Sequence, residues 1–335
     1  MGKKVLIVGA GGFIGGFIAA ESLRRGFETT AGVRESTSRR FLTDPRLEFL
    51  TLDYDDPAAL KRSLEGVDRF DYIVYNLGAT KCANFADFNK INYLYLTNFT
   101  RALQEADRVP ERFLYISSLS ALGPGDEKGY TPLADGMIPN PNTRYGVSKI
   151  KAETHLDIST WLPWIVFRPT GVYGPHEQDY LMMIKSMDRG FDPGVGFKKQ
   201  LLTFIYVEDL AAAVFDALER APLHRKYILA EGRAYTQREF RDTVKALLGK
   251  KIVVPVRFPL WMLWAVSTVS EKIAALKMEA STLNRDKYRI MAQRNWDCDI
   301  SRAVADWGFA PRFSLADGLA KTIEAYRAAK NQPKS

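Results

Sequence analysis

The chain has 335 residues, enough for one large or two modest cores, and its 46% hydrophobic and 26% charged content is that of an ordinary globular protein. The net charge is +8, but Lys and Arg fall in scattered pairs (Arg24-Arg25, Arg39-Arg40, Lys198-Lys199, Lys250-Lys251) with no stripe interleaved with aromatics, so nucleic acid is not an expected partner. Cys82 and Cys298 fit a reducing compartment, and His155, His176 and His224 offer no metal-ligand spacing, so no metal is expected.

Lys3-Lys4, an apolar run and Ala19-Ala20 mimic an export signal at the start. The glycines between them suit a phosphate turn better, and a cytoplasmic location is expected. Met1-Gly2 resembles a myristoylation start, but Leu6 stands where Ser or Thr is wanted. The first predicted strand, Lys3–Val8, runs into Gly9-Ala10-Gly11-Gly12-Phe13-Ile14-Gly15, a G-x-x-G-x-x-G turn. Gly9 allows the tight turn, Gly12 lets backbone approach a pyrophosphate, and Gly15 lets the helix from Phe17 to Arg25 lie close on the sheet. Further strands are predicted at Glu28–Val33, Leu47–Leu52, Asp71–Leu77, Arg112–Ser117, Trp164–Phe167 and Tyr227–Ala230. Helices are predicted between them at Asp56–Glu65, Phe85–Ala106 and Thr143–Thr160. Such alternation implies a parallel sheet covered on both faces.

After Gly174-Pro175 the pattern loosens, and residues 176–203 with 231–310 read as a smaller lobe of short helices. Residues 204–209 and the helix after them are expected to return to the first lobe, and Asn331 to Ser335 read as a disordered end.

Tyr145 and Lys149 lie four apart on the helix predicted at Thr143–Thr160, where Cβ atoms come within roughly 5–6 Å. A phenol with a pKa of about 10 is a poor base at neutral pH. An ammonium about 4 Å away, attracting phenolate by about 4 kcal/mol at an effective dielectric near 20, lowers that pKa by up to about three units before burial opposes it. The same spacing also arises by accident on exposed helices. Ser117-Ser118 closes the strand before, and a hydroxyl there points into the ligand crevice of an open parallel sheet.

With these signals in order, the chain resembles the extended short-chain dehydrogenase/reductases, the NAD-dependent epimerase/dehydratase group. The likeness runs through Asn76-Leu77-Gly78-Ala79-Thr80, the segments at 115–124, 145–153, 167–175 and 204–211, and the Trp-Gly stretch at 307–319. It implies an α/β fold, a Rossmann-type doubly wound parallel sheet of about seven strands with a smaller, mainly helical C-terminal substrate lobe. The implied division is a dinucleotide-binding domain of 1–175 plus 204–230 and a substrate lobe of 176–203 plus 231–330. The resemblance makes Ser118, Tyr145 and Lys149 catalytic, with Lys149 also on the nicotinamide ribose. It gives the cofactor Gly9, Gly12, Phe13, Ile14 and Gly15 at the turn, Asp53 and Tyr54 at the adenine, and Leu77, Gly78 and Ala79 along the ribose and phosphates. Pro169 and Val172 fall at the nicotinamide, with Asn92 in support. A homodimer through 85–106 and 143–160 is a family expectation.

NAD sites usually place an acid about 20 residues beyond the glycines. Arg34 stands there, followed by Ser36, Ser38, Arg39 and Arg40, which suits a 2′-phosphate, although Glu35 blurs the signal. NADP(H) is therefore the expected cofactor, with NAD(H) as the second choice. Leu119-Ser120 replaces the acidic pair that follows the catalytic hydroxyl in sugar dehydratases of this group, which disfavours dehydration. Leu202 falls near the place of an Arg that binds sugar-nucleotide pyrophosphate, a role open to Lys198 or Lys199. Trp261 and Trp264 lie in an apolar run too short to span a bilayer. That run resembles the sterol-dehydrogenase-like branch, and with Met182, Met183 and Phe191 it is expected to line an apolar substrate site. For residues 258–276 the leading expectation is a buried helix of the small lobe, with a cap on that apolar pocket or a helix lying in a membrane interface as the alternatives.

The expected activity is NAD(P)-dependent hydride transfer between nicotinamide and a fairly apolar, sterol-like or other small hydrophobic secondary alcohol or ketone. The alternatives are a nucleotide-sugar 4-epimerase and a non-catalytic dinucleotide-binding assembly or regulatory subunit.

Overall fold

The computed structural model describes residues 2–82, 84–276 and 283–331. The first half runs β1 (Lys4–Val8), α1 (Phe13–Arg24), β2 (Glu28–Val33), β3 (Glu48–Thr51), α2 (Pro57–Glu65) and β4 (Tyr72–Tyr75). A continuous helical column follows, made of α3 (Phe85–Asn89), a π-helical turn (Lys90–Leu94) and α4 (Tyr95–Glu105). Next come β5 (Arg112–Ile116), a 3₁₀ turn (Leu119–Ala121), α5 (Arg144–Ile158), β6 (Trp164–Pro169) and β7 (Gly171–Tyr173). The second half is α6 (Gln178–Asp188), β8 (Phe191–Val195), β9 (Leu201–Tyr206), α7 (Val207–Arg220), β10 (Arg225–Leu229), β11 (Ala234–Thr236), α8 (Gln237–Leu248) and β12 (Val254–Phe258). It ends with α9 (Leu260–Leu276), α10 (Arg285–Ala292), α11 (Ser301–Trp307) and α12 (Leu315–Asn331). The expected disordered end beyond Asn331 lies outside the described residues.

Seven strands form one parallel sheet in the order β3-β2-β1-β4-β5-β6-β10. Its strands are buried on both faces, which is why they read as unbroken apolar runs. Val5, Ile7, Val74, Leu114, Ile165 and Phe167 pack under α1, α7 and α11. Leu6, Val8, Ile73, Tyr75, Phe113 and Val166 pack under α2, α4 and α5 on the other side. Local signals set the helix ends. Asp56 caps α2 by accepting from Ala58 N (2.9 Å) and Ala59 N (3.0 Å) ahead of Pro57, and Thr143 caps α5 by accepting from Gly146 N at 2.9 Å.

Sequence order reverses between β1 and β4, and a ligand crevice opens beyond the carboxyl ends of strands at such a switch point. β9 joins β7 and β11 in a separate three-stranded sheet, after which α7 packs against α1 and β10 takes the edge of the main sheet. β8 and β12 form a parallel two-stranded ribbon in which Val254 faces Phe191 and Phe258 faces Val195. The sequence pattern does not announce these short strands. β8 contains Pro193-Gly194 and β12 contains Pro255, and a two-stranded ribbon tolerates prolines because each strand is an edge.

Candidate active site

The turn after β1 explains its own glycines. Gly9 has φ +81°, and a Cβ there would lie 2.7 Å from the backbone N of Leu77, so the loop after β4 crosses directly over it. A Cβ on Gly15 would collide with the Gly9 carbonyl oxygen. At Gly12 the nearest atom to such a Cβ is the Gly9 oxygen at 3.6 Å, so the protein itself does not require glycine there. Gly12 caps α1 without a side chain, and among the described residues the amides of Phe13, Ile14 and Gly15 have no protein acceptor. Open amides at a helix start, beside a glycine kept bare for no internal reason, fit a pyrophosphate.

The loop after β2 folds back over this turn, and a Cβ on Gly11 would meet Ser38 O at 3.0 Å. Arg34 heads the loop, its backbone N donating to Thr37 Oγ1 at 3.0 Å, while its side chain is exposed. The Arg39 guanidinium lies 4.2 Å from the Phe49 ring centre. Asp53 is exposed and accepts from Asp55 N at 3.0 Å. Tyr54 is a core residue stacked on Tyr95 (5.4 Å between ring centres), which leaves only its main chain for a nucleotide.

A second chain of contacts joins the loop after β4 to α5. Asn92, fully buried in the π-helical turn, accepts from Ala79 N at 2.7 Å and donates to Ala79 O at 3.0 Å and Ser148 Oγ at 2.9 Å. Ser148 donates onward to the Tyr145 carbonyl at 2.7 Å. π-helical turns inside α-helices commonly mark functional positions, and this one aims Asn92 at the loop the cofactor would follow. A Cβ on Gly78 would lie 3.1 Å from both Asn92 Oδ1 and Lys149 Nζ. The structure thus gathers Leu77, Gly78, Ala79, Asn92 and Lys149 at one place.

Ser118 leaves β5 as the cap of the 3₁₀ turn, its hydroxyl accepting from Ser120 N at 3.2 Å. Its hydrogen-bonding pull on the Tyr145 phenol favours phenolate, but burial dominates and pushes that group up to about 12. Lys149 donates to Ile116 O at 2.9 Å, and desolvation outweighs attraction to Glu153 and pushes the amine down to about 7. This corrects the expectation of an acidified phenol. Lys149 Nζ turns to a strand carbonyl, 5.9 Å from the Tyr145 ring centre, so both groups favour their neutral forms. Pro169 is buried at the end of β6, and Val172 packs against the core beneath it.

Sequence reasoning missed the charges beneath this site. Glu153, fully buried one turn beyond Lys149, accepts from Ser117 Oγ at 2.6 Å and from Arg168 Nη2 at 2.6 Å, with Lys226 Nζ at 3.4 Å. Asp135 lies 3.9 Å from Arg168 and accepts from Ile228 N at 3.2 Å. The available signal was the spacing of four continued from Tyr145 and Lys149 to Glu153. Asp286 on α10, which accepts from Tyr145 N at 3.2 Å, gave no sequence signal. Across the cleft Asp179 joins Lys81 (3.1 Å) to Lys287 (2.6 Å), tying the loop after β4 to α6 and α10. Lys198 is exposed, and Lys199 lies over the Tyr130 ring at 5.2 Å.

A model of the NAD dependent epimerase/dehydratase family matches residues 5–230. The chain belongs to that family. It is an enzyme of the extended short-chain dehydrogenase/reductase type, with the Rossmann-like sheet and helical C-terminal part of its relatives. A ceramide reductase of Caulobacter vibrioides is 27% identical over 99% of this chain and 96% of its own length. Among solved structures, the DesIV dTDP-glucose 4,6-dehydratase of Streptomyces venezuelae, with NAD and TYD bound, superposes with a TM-score of 0.78 at 20% identity, covering 98% of each chain. UDP-glucose 4-epimerase of Thermotoga maritima, with UDP-glucose, gives 0.78 at 19% identity, covering 98% of this chain and all of its own.

Proposed function

We propose that the enzyme reduces a ketone on an apolar, lipid-like molecule to a secondary alcohol, with NADP(H) preferred over NAD(H). The observation that carries the reading is Ser118 and Tyr145 together at the sheet's carboxyl edge, with Leu119-Ser120 next in chain where a dehydratase of this group needs acids. A buried phenol held up to about 12 is protonated at neutral pH, so it serves as an acid toward a ketone. Bound reduced nicotinamide supplies the hydride. Tyr145 Oη gives its proton to the carbonyl oxygen, and Ser118 Oγ holds that oxygen in place. Lys149 and Asn92 position the nicotinamide ribose beside Gly78-Ala79, and the amides of Phe13, Ile14 and Gly15 take the pyrophosphate. The ceramide reductase, covered over nearly its whole length, supports an apolar substrate. Residues 1–175 with 204–230 are proposed as the dinucleotide half, and two copies are proposed to pair over 85–106 and 143–160.

The test is net NADPH consumption with a long-chain keto lipid, with UDP-glucose as the competing substrate. Turnover of the lipid is expected; interconversion of the nucleotide sugar with no net change in NADPH rejects the reading. For the cofactor preference, Arg34→Ala is expected to weaken NADPH about tenfold, the value of one lost charge-assisted contact, and to leave NADH unchanged. Equal loss for both cofactors, read by fluorescence titration, would remove the basis for that preference.

A further inference from the structure

The outer side of α9 is built against the usual rule for a helix on a protein surface. Leu263 and Ser267 face inward, whereas Trp261, Trp264, Val266, Val269 and Ile273 are exposed, Trp261 to 71%. At 100° per residue these exposed positions fall on one broad arc in which Lys272 is the only charge. The ribbon before it also exposes apolar side chains. Phe191 and Val254 sit opposite one another and are both exposed, and Phe197 and Ile252 near its two ends are each 76% exposed. Exposed aromatic and aliphatic side chains grouped in this way mark an interaction site.

The charge around it selects the occupant. Segments 189–199 and 250–273 carry seven Lys and Arg against two carboxylates, Asp192 and Glu271. Both carboxylates are engaged, Asp192 with Arg257 at 2.8 Å and Glu271 with Arg144 at 2.9 Å. Lys198, Lys251 and Lys272 form no ion pair among the described residues. A second copy meeting this face across a two-fold axis would bring two positive rims together, which opposes pairing. No helix among the described residues is long and apolar enough to cross a membrane. Exposed Trp with a lysine rim instead matches a surface that lies in the headgroup zone of an anionic bilayer.

We propose that the α9 face, with the β8–β12 ribbon, docks the enzyme on anionic lipid bilayers. The face is coupled to the site: Glu271 of α9 holds Arg144, the first residue of α5, and Asp286 of α10 holds the amide of Tyr145. Docking therefore sets the cleft beside the medium that dissolves an apolar substrate. The proposal extends the lipid-ketone reading, but its test measures partition rather than turnover, so either can fail alone.

The full chain is floated with phosphatidylcholine vesicles with and without phosphatidylglycerol. Flotation with the anionic vesicles, reduced by salt, is expected, and Trp261→Ser/Trp264→Ser is expected to lower it about tenfold with melting temperature and NADPH binding unchanged. Lys251→Ala/Lys272→Ala, which leaves the apolar face intact, is expected to lower it only on anionic vesicles. Failure to float, flotation indifferent to both double variants, or a light-scattering dimer split by the Trp substitutions would overturn the proposal.

Discussion

Around Gly9 the chain leaves no room for a Cβ, whereas around Trp261 it leaves most of an indole in solvent. The first region is defined by backbone: three loops meet within van der Waals contact, and the open amides of α1 have no use inside the protein. The second is defined by side chains on a helix that Glu271 ties to Arg144 of α5. A dinucleotide is nearly the same molecule in every enzyme of a family, so its binding site rests on main-chain geometry. A substrate or a surface varies, and the residues facing it are exchangeable side chains.

Tyr145→Phe tests the chemical centre and carries the largest expected effect. It removes the transferable proton but keeps the ring, and ketone reduction is expected to fall by about three orders of magnitude, within the range for general acid catalysis. NADPH affinity is expected to stay within about twofold, since the pyrophosphate amides and Lys149 are untouched. Steady-state rates with parallel fluorescence titration check both; retained turnover would remove Tyr145 from the mechanism.

Glu153→Ala tests the charged layer beneath. It strands the Arg168 guanidinium, 2% exposed, without its carboxylate, and such a loss typically costs about 3–5 kcal/mol. Calorimetry is expected to show a lower melting temperature, with residual activity per folded molecule nearly normal. An unchanged melting temperature would mean that Asp135 alone balances Arg168.

How much of this was legible follows the same division. The glycine turn and the Tyr145–Lys149 pair were readable because each depends on residue type at a fixed spacing, Ser118 was marked by its place at a strand end, and Asn92 came only from the family resemblance. The main sheet was readable because its strands are apolar on both faces. The pKa direction at Tyr145 was not, since it depends on how far burial outweighs a charge whose orientation no spacing reveals. β8 and β12 were hidden by their prolines, and the contact of Asp286 with Tyr145 N joins residues far apart in the chain. Tyr54 looked like a ligand by its position next to Asp53, yet it faces the core.

Two glycines sharpen the contrast between protein-defined and ligand-defined geometry. Gly15→Ala meets backbone, so it is expected to lower stability by about 1–3 kcal/mol as the turn shifts. Gly12→Ala meets nothing closer than 3.6 Å and is expected to leave melting temperature within experimental error while weakening dinucleotide binding about tenfold. Reversed outcomes would show that Gly12 serves packing and that the pyrophosphate lies elsewhere.

The smallest effect concerns pH and belongs to the buried charges on the sheet side. Burial pushes the Asp135 carboxyl up to about 6, opposed by the Ile228 amide, Arg168 and Arg302 and reinforced by Glu153. Because the folded pKa is raised above the value of 3.8 for an unhindered chain, the unfolded state gives up its proton first as pH rises. The penalty is absent below about 4, grows between about 4 and 6, and is complete above that, with an upper limit of about 3 kcal/mol at 1.36 kcal/mol per unit. Asp135→Asn keeps the acceptor for Ile228 N but does not titrate. Chemical denaturation of both proteins from pH 4.5 to 7.5 is therefore expected to show the wild type losing stability relative to the variant by about 2 kcal/mol, the part of the penalty that falls inside this window. A difference that stays flat across this window would mean that Asp135 is ionised throughout and fully paired with Arg168.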